Sequence, residues 1–137
     1  MDVVALLGRI LFVVLFLGSG YGHLAQTEAL AGYAASKGVP AAKLATQVTG
    51  VMLIVGASLM LLGIWADLGA LLLVVFLLPT AFLMHAFWKE TDPQAKQIEM
   101  IQFQKDLGLA GAALLIFALV VDLGDDLGLT ITGPLFG

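Results

Sequence analysis

The run from Leu68 to Phe87, LGALLLVVFLLPTAFLMHAF, contains no Asp, Glu, Lys or Arg. A helix needs roughly 20 mostly apolar residues to cross a bilayer, and this run meets that length. It therefore predicts a transmembrane helix. The only strongly charged stretch of the chain begins directly after it, at Lys89.

Three other apolar runs accompany this one, two before it and one after it. They predict spans at about residues 3–22, 44–65 and 94–121, with the quoted run extended to about 68–88. These runs fill most of the chain, which predicts one domain followed by a short acidic tail at 122–137. The predicted fold is all-α, an integral membrane four-helix bundle with antiparallel, up-and-down helices.

The composition supports a membrane location and excludes several functions. The chain is 61% hydrophobic and 12% charged, whereas a soluble domain is about half apolar and a quarter charged. The lipid bilayer is therefore its predicted partner. A net charge of −4 argues against nucleic acid. The absence of cysteine excludes thiolate catalysis, iron–sulfur clusters and Cys-ligated zinc, and no metal site is predicted.

The connection after the first span predicts a short helix at the membrane interface. Leu30, Tyr33, Ala34 and Lys37 share one face if this segment is helical. Gly38 can end that helix, and Pro40 can start the next one as its first residue.

The other two connections set the directions of the last helices. The short link at Ala66-Asp67 predicts an antiparallel hairpin. Asp92-Pro93 predicts an N-cap followed by a first-turn proline, so the last helix starts near Pro93 and is over about 40 Å long. Pro79 predicts a bend that re-aims the end of the third span.

Charge at the two membrane faces predicts the orientation. Asp2 and Arg9 do not fit a cleaved secretory signal, so the first run is expected to remain as a span. Five lysines lie on the face of the long connections, against Arg9 on the other face. The positive-inside rule then places those connections in the cytoplasm and both termini outside.

Polar residues from all four spans are expected to meet at one face of the membrane. The set is His23, Gln47, His85, Trp88, Gln102, Lys105 and Asp106. Each residue alone has an ordinary interpretation as an anchor or a snorkelling side chain. Ionisable residues at membrane depth are costly and tend to mark function, so the set predicts a ligand pocket. Arg9, in the first span, either binds an anion, tethers the helix to backbone carbonyls, or snorkels to headgroups.

The chain resembles the DoxX family of small four-span membrane proteins. The resemblance rests on several stretches in order: LGRIL at 7–11, SGYGHL at 19–24, GYAASKGVP at 32–40, FLMHAFW at 82–88 and QFQKDL at 102–107. It implies a multi-pass inner-membrane protein associated with oxidoreductases of the thiosulfate:quinone type. Family members commonly carry Lys at the position of His23 and Asn at that of Asp106, so the predicted pocket differs in charge from theirs.

Two functions of different classes follow. The first is a redox-linked subunit that binds quinone or another lipid-soluble ligand, with electrons supplied by a partner redox subunit or a diffusible donor. In it, His85, Lys105 and Gln102 donate hydrogen bonds, Trp88 stacks, and Asp106 with His23 passes protons. The second is a non-catalytic scaffold that docks a partner protein or a second copy of the chain. Haem ligation and transport fit less well, because both histidines lie at span ends and no internal repeat is present.

Overall fold

The computed structural model describes residues 1–137 and consists of helices joined by short turns. The five α-helices are α1 (Asp2–Ala25), α2 (Thr27–Ser36), α3 (Ala42–Leu62), α4 (Ala66–Met84) and α5 (Pro93–Leu123). Short 3₁₀ turns follow α4 and α5, at Phe87–Lys89 and Gly124–Asp126. α1, α3, α4 and α5 are each long and apolar enough to cross a membrane. The all-α, four-span prediction is confirmed.

The four long helices pack in sequence around one apolar core. α1 packs on α3, α3 on α4, and α4 on α5, while α2 lies on α3. Phe16, Leu53 and Leu73 are fully buried where the helices meet. α1 and α5, the first and last members of the row, do not pack against each other along their length.

Two glycines allow α3 and α4 to approach closely. A Cβ on Gly69 would lie 2.7 Å from the carbonyl oxygen of Gly56, closer than real side chains come. Small residues let membrane helices come into backbone contact. The hairpin expected from the short Ala66-Asp67 link is therefore tightly packed.

The end of α2 is a Schellman motif. The amides of Gly38 and Val39 donate to the carbonyls of Ala35 and Ala34, both at 3.0 Å. Gly38 has φ of +86°, a conformation that side chains with a Cβ rarely adopt. The prediction that Gly38 ends the helix is confirmed.

The start of α3 differs from the prediction. Pro40 is not its first residue, because Ala41 follows with φ of +47° and the helix begins at Ala42. A left-handed residue cannot belong to a right-handed helix, so Pro40 remains in the turn. The interfacial helix α2 thus folds back onto α3 through a turn longer than expected.

The α-helix of the third span ends before the span does. α4 continues through Pro79 but ends at Met84 rather than near residue 88. The amide of Phe87 then donates to the carbonyl of His85 at 2.9 Å across Ala86, which has φ of −75° and ψ of 69°. This is an inverse γ-turn. It turns the chain toward α5, on which the following 3₁₀ turn packs.

The start of α5 matches the prediction. Asp92 Oδ2 accepts a hydrogen bond from the Ala95 amide at 2.8 Å, and Pro93 is the first helical residue. With 31 residues at about 1.5 Å each, α5 is roughly 46 Å long. The hydrocarbon core of a bilayer is only about 30 Å thick. The helix therefore extends well beyond it.

The tail folds across the opposite end of the bundle, and residues 127–137 are named here the C-terminal strap. The amides of Ile131 and Thr132 both donate to the carbonyl of Gly63 at 3.0 Å. The amides of Leu135 and Phe136 donate to one oxygen of Asp67, at 2.8 and 2.7 Å. These bonds attach the strap to the α3–α4 hairpin.

The turn at Gly63 requires glycine for two reasons. Gly63 has φ of +64°, and a Cβ there would lie 2.6 Å from Thr130 of the strap. A larger residue would strain both the end of α3 and the strap. This turn is the centre of strap docking.

Candidate ligand-binding site

A cavity of about 420 Å³ is lined by all five helices, close to the end where α4 finishes. Its middle is apolar, with Phe16, Met52 and Phe76 among the lining residues. Its polar end contains His23, His85, Lys105 and Asp106. The structure therefore brings four of the eight predicted site residues into one cavity.

The helical repeat of α1 positions His23 over the cavity. Phe16, Ser19 and His23 lie at spacings of three and four residues, so they share one face of the helix. His23 Nδ1 lies 2.7 Å from the Ser19 carbonyl, which orients the ring. The ring also contacts Phe76 edge-on, with the centroids 5.9 Å apart. His23 is thus held at the boundary between the apolar and polar parts.

Asp106 is the most buried ionisable group of the cavity. Only 4% of the residue is exposed. Its Oδ2 lies 3.7 Å from His85 Nε2, and its Oδ1 lies 3.6 Å from Lys105 Nζ. Lys105 Nζ also donates to Gln102 Oε1 at 2.5 Å. A buried carboxylate needs such a nearby cation as Lys105, and Lys105 and His85 line the same cavity.

His85 lies between two carboxylates. Its Nδ1 is 2.7 Å from Glu99 Oε2, while its Nε2 faces Asp106. Glu99 Oε1 also accepts hydrogen bonds from the Tyr33 hydroxyl at 3.0 Å and from Lys37 Nζ at 3.4 Å. Glu99 therefore joins α2, the end of α4 and α5 around the polar end of the cavity.

The surroundings of Tyr33 and Lys37 shift their protonation. Burial and the hydrogen bond to Glu99 raise the pKa of the Tyr33 phenol above its ordinary value. The hydrogen bond to Glu90, 2.9 Å away, raises the pKa of Lys37. Both groups therefore remain protonated donors across the neutral range.

Glu99 was not among the predicted site residues, although the sequence carries a signal for it. Glu99 precedes Asp106 by two helical turns, so both lie on one face of α5. The cavity also has threonines that the prediction omitted. Thr46, Thr49 and Thr80 line it, and each hydroxyl donates to the carbonyl four residues earlier in its own helix, at 2.8, 2.7 and 2.7 Å. Their oxygen lone pairs remain available as acceptors.

Three other predicted residues from this end do not line the cavity. Gln47 lies on the exposed face of α3. Gln102 accepts a hydrogen bond from Lys105, which lines the cavity, but does not line it itself. Trp88 is 49% exposed and packs in an aromatic cluster, tilted against Phe82 and edge-on to Phe103. This position of Trp88 corresponds to the anchor interpretation, because aromatic residues concentrate at membrane interfaces.

Arg9 lies toward the opposite end of the bundle. It precedes His23 by fourteen residues of one helix, or roughly 21 Å. Its side chain is buried, and Nη2 donates to the carbonyl of Leu129 in the C-terminal strap at 2.5 Å. Arg9 therefore tethers α1 to a backbone carbonyl, one of the three roles considered from the sequence.

The cavity offers donors and acceptors at one end and apolar walls elsewhere. That arrangement suits a small amphiphile with a polar head. No three His, Asp or Glu side chains are grouped so that they could hold a metal ion. The histidines lie on different helices, and His85 is already bonded to Glu99.

Comparison with known proteins agrees with this architecture. The DoxX family model matches residues 4–86, which include the first three spans and His85 but not Lys105 or Asp106. The inner membrane protein YphA of Escherichia coli (strain K12) is 33% identical over 114 residues, covering 83% of this chain and 81% of that protein. No solved structure matches the chain. With four membrane-spanning helices, the chain is a multi-pass protein of the bacterial inner membrane, and it belongs to the DoxX family.

Proposed function

We propose that the chain is a redox-linked membrane subunit that binds a quinone-like, lipid-soluble ligand in the cavity. The observation that carries the proposal is the division of the cavity into an apolar middle and an end with His23, His85, Lys105 and Asp106. A quinone requires both parts, because its ring carbonyls need donors and its tail needs apolar walls.

The position of the cavity supports a ligand that arrives from the bilayer. Leu15 of α1 and Val75 of α4 line the cavity, yet they are 45% and 54% exposed on the outer surface of the bundle. The wall between these helices is therefore incomplete at the depth of the lipid tails. A ligand dissolved in the membrane can enter there without passing through water.

Two donors would hold the ligand head. Lys105 Nζ lies near one oxygen of Asp106, and the ring of His85 lies near the other. Either can donate to a carbonyl oxygen placed above that carboxyl group. Loss of a hydrogen bond involving a charged group costs about 1.5–3 kcal/mol, so removing Lys105 is expected to weaken binding roughly tenfold or more.

The test is the ligand content of the purified protein. The protein is purified in detergent, its bound lipids are extracted, and quinone is measured by mass spectrometry. His85→Ala and Lys105→Ala are expected to lose most of the quinone, whereas Gln47→Ala, on the exposed face of α3, is expected to keep it. Absence of quinone from the native protein, or equal content in all variants, contradicts the proposal.

The orientation prediction is part of the same proposal. Lys105 lines the polar end of the cavity, and Lys37 and Lys89 lie on the same membrane face. Arg9, toward the other end, is buried against the strap. The positive-inside rule places the polar end in the cytoplasm. A reporter fused to the C-terminus is expected to be active only outside the cytoplasm, and cytoplasmic activity would reverse this assignment.

The scaffold function is favoured by one observation. Ile98 and Ile101, on the first turns of α5, are 52% and 54% exposed, and α5 extends beyond the bilayer core. These side chains could contact a partner protein. Cross-linking in native membranes from an introduced Cys at position 98 tests this, with a Cys at the exposed position 96, on the other side of the helix, as the comparison. Equal products from both positions count against docking there.

A further inference from the structure

A second concavity opens beside the ligand cavity. It is a groove of about 470 Å³ lined by Lys37, Lys89 and Glu90 together with Ser36 and Gly38 at the end of α2. Leu83 lines both the groove and the cavity. The groove is polar and lies at the membrane face of the long connections, where water can reach it.

A continuous series of polar groups joins the two concavities. Lys37, which lines the groove, contacts Glu90 at 2.9 Å and Glu99 at 3.4 Å. The other oxygen of Glu99 contacts His85 Nδ1 at 2.7 Å. His85 Nε2 lies 3.7 Å from Asp106, a distance that a small ring rotation or one bridging water closes. Asp106, at the cavity end of the series, is the least exposed member, with 6% of its side chain exposed against 20% for Lys37 in the groove.

A purely structural role explains the contacts of Glu99 with α2 but not the placement of His85. Glu99 bonded to Tyr33 and Lys37 would be enough to pin α2 to α5. That role does not require a histidine with a carboxylate at each ring nitrogen. A ring in that position can accept a proton at one nitrogen and release it from the other.

We propose that Glu99, His85 and Asp106 form a proton relay between the aqueous groove and the ligand cavity. In the forward direction the Glu99 carboxylic acid loses its proton to His85 Nδ1. His85 Nε2 then releases a proton to Asp106, which becomes the acid while Glu99 becomes the carboxylate. One O–H and one N–H bond break and one of each forms, so no other reactant is needed. The step is reversible, so the same route loads and unloads Asp106.

Charged and polar groups face the relay from several elements. Lys37 and Tyr33 face Glu99 from α2, and Glu90 faces Lys37 from the loop before α5. Lys105 faces Asp106 from the same helix. His23 lies across the cavity on α1 and is bonded to its own helix rather than to the relay. The negative members of the relay thus each have a positive or proton-donating neighbour.

The relay depends on the proposed function in one respect: the bound ligand would be the final proton acceptor. The relay is therefore tested first without ligand. Protons are released by photolysis of a caged acid around the detergent-solubilised protein. Time-resolved infrared spectroscopy then follows the C=O band of protonated Asp106, which is identified by its absence from the Asp106→Asn variant. Glu99→Gln and His85→Gln are expected to slow the appearance of this band on the order of a hundredfold, the lower range for a positioned proton-transfer group.

The controls separate a relay from a structural contact. The amide introduced by Glu99→Gln still offers an oxygen to Tyr33 and Lys37, so this change removes the exchangeable proton while preserving the acceptor. Glu99→Asp is expected to recover part of the rate. Glu28→Gln, the same change in an exposed pair with Lys43 on the same membrane face, is expected to leave the rate unchanged.

Two outcomes overturn the relay: equal rates in the native protein, Glu99→Gln and His85→Gln, or no protonation of Asp106 at any pH at which the protein stays folded. A second measurement adds a soluble short-chain quinone and records its binding to the native protein. Normal relay kinetics without quinone binding would refute the proposed function alone. Quinone binding with unaffected kinetics in the variants would refute the relay alone.

Discussion

The attachment of the C-terminal strap to Asp67 provides a direct test of the fold at the end opposite the cavity. Asp67 is fully buried, and its Oδ2 accepts the amides of Leu135 and Phe136 at 2.8 and 2.7 Å. Replacing Asp67 with Ala removes the only side-chain acceptor of both amides. Replacing it with Asn keeps an acceptor but removes the charge.

The expected size of the effect follows from these two bonds. A hydrogen bond to a charged group contributes about 1.5–3 kcal/mol, so Asp67→Ala removes about 3–6 kcal/mol from strap docking. Charge-assisted bonds are roughly twice as strong as neutral ones. Asp67→Asn is therefore expected to lose about half as much, which corresponds to a roughly tenfold to hundredfold increase in strap opening.

Hydrogen–deuterium exchange measured by mass spectrometry on the peptide 127–137 reports this opening. In Asp67→Ala the amides of Leu135 and Phe136 should exchange at the rate of an undocked chain, with Asp67→Asn intermediate. Asp126→Asn is the matched control, because it removes an exposed charge beside the strap. Exchange in Asp67→Ala no faster than in Asp126→Asn would show that the strap is held by other contacts.

Two further predictions concern helix packing and the interfacial helix. Gly69→Ala places a Cβ 2.7 Å from the carbonyl oxygen of Gly56 and should destabilise the bundle by about 1–3 kcal/mol, measured by thermal unfolding in detergent. Gly111→Ala is the control: it has open space around it and should be neutral or slightly stabilising. Equal melting temperatures of the two variants would contradict close packing of α3 and α4. The raised pKa of Tyr33 predicts that its ultraviolet titration, measured with the second tyrosine replaced by phenylalanine, lies above the ordinary 10.0 and shifts partly down in Glu99→Gln. Because a raised pKa contributes stability that is lost as pH rises, the docking of α2 should weaken above about pH 10, and a titration at the ordinary value would refute the contact.

The sequence alone predicts the spans because the bilayer imposes a simple condition. Every backbone polar group in lipid must be bonded within its own helix, so long apolar runs become helices whatever their neighbours are. Local chemistry then sets several ends, as Gly38 and Asp92 show. The up-and-down order also follows from short links. It places His85 and Asp106 at the same membrane face before any packing is known.

Other local features could not be predicted in this way. α4 ends at Met84 although nothing in the sequence after Pro79 requires it. The turn that follows is stabilised by contacts with α5, including Trp88 and Phe87 against Phe103. Such contacts depend on residues distant in sequence. A helix boundary set by them has no local signal.

The rotation of each helix was decided by the tertiary structure. These helices are apolar on both their lipid-facing and core-facing sides, so hydrophobic periodicity does not distinguish the two. Gln47 and Asp106 were therefore equally plausible pocket residues, and only packing turned Gln47 outward and Asp106 inward. The partnership of His85 with Glu99 and the docking of the strap on Asp67 likewise depend on packing.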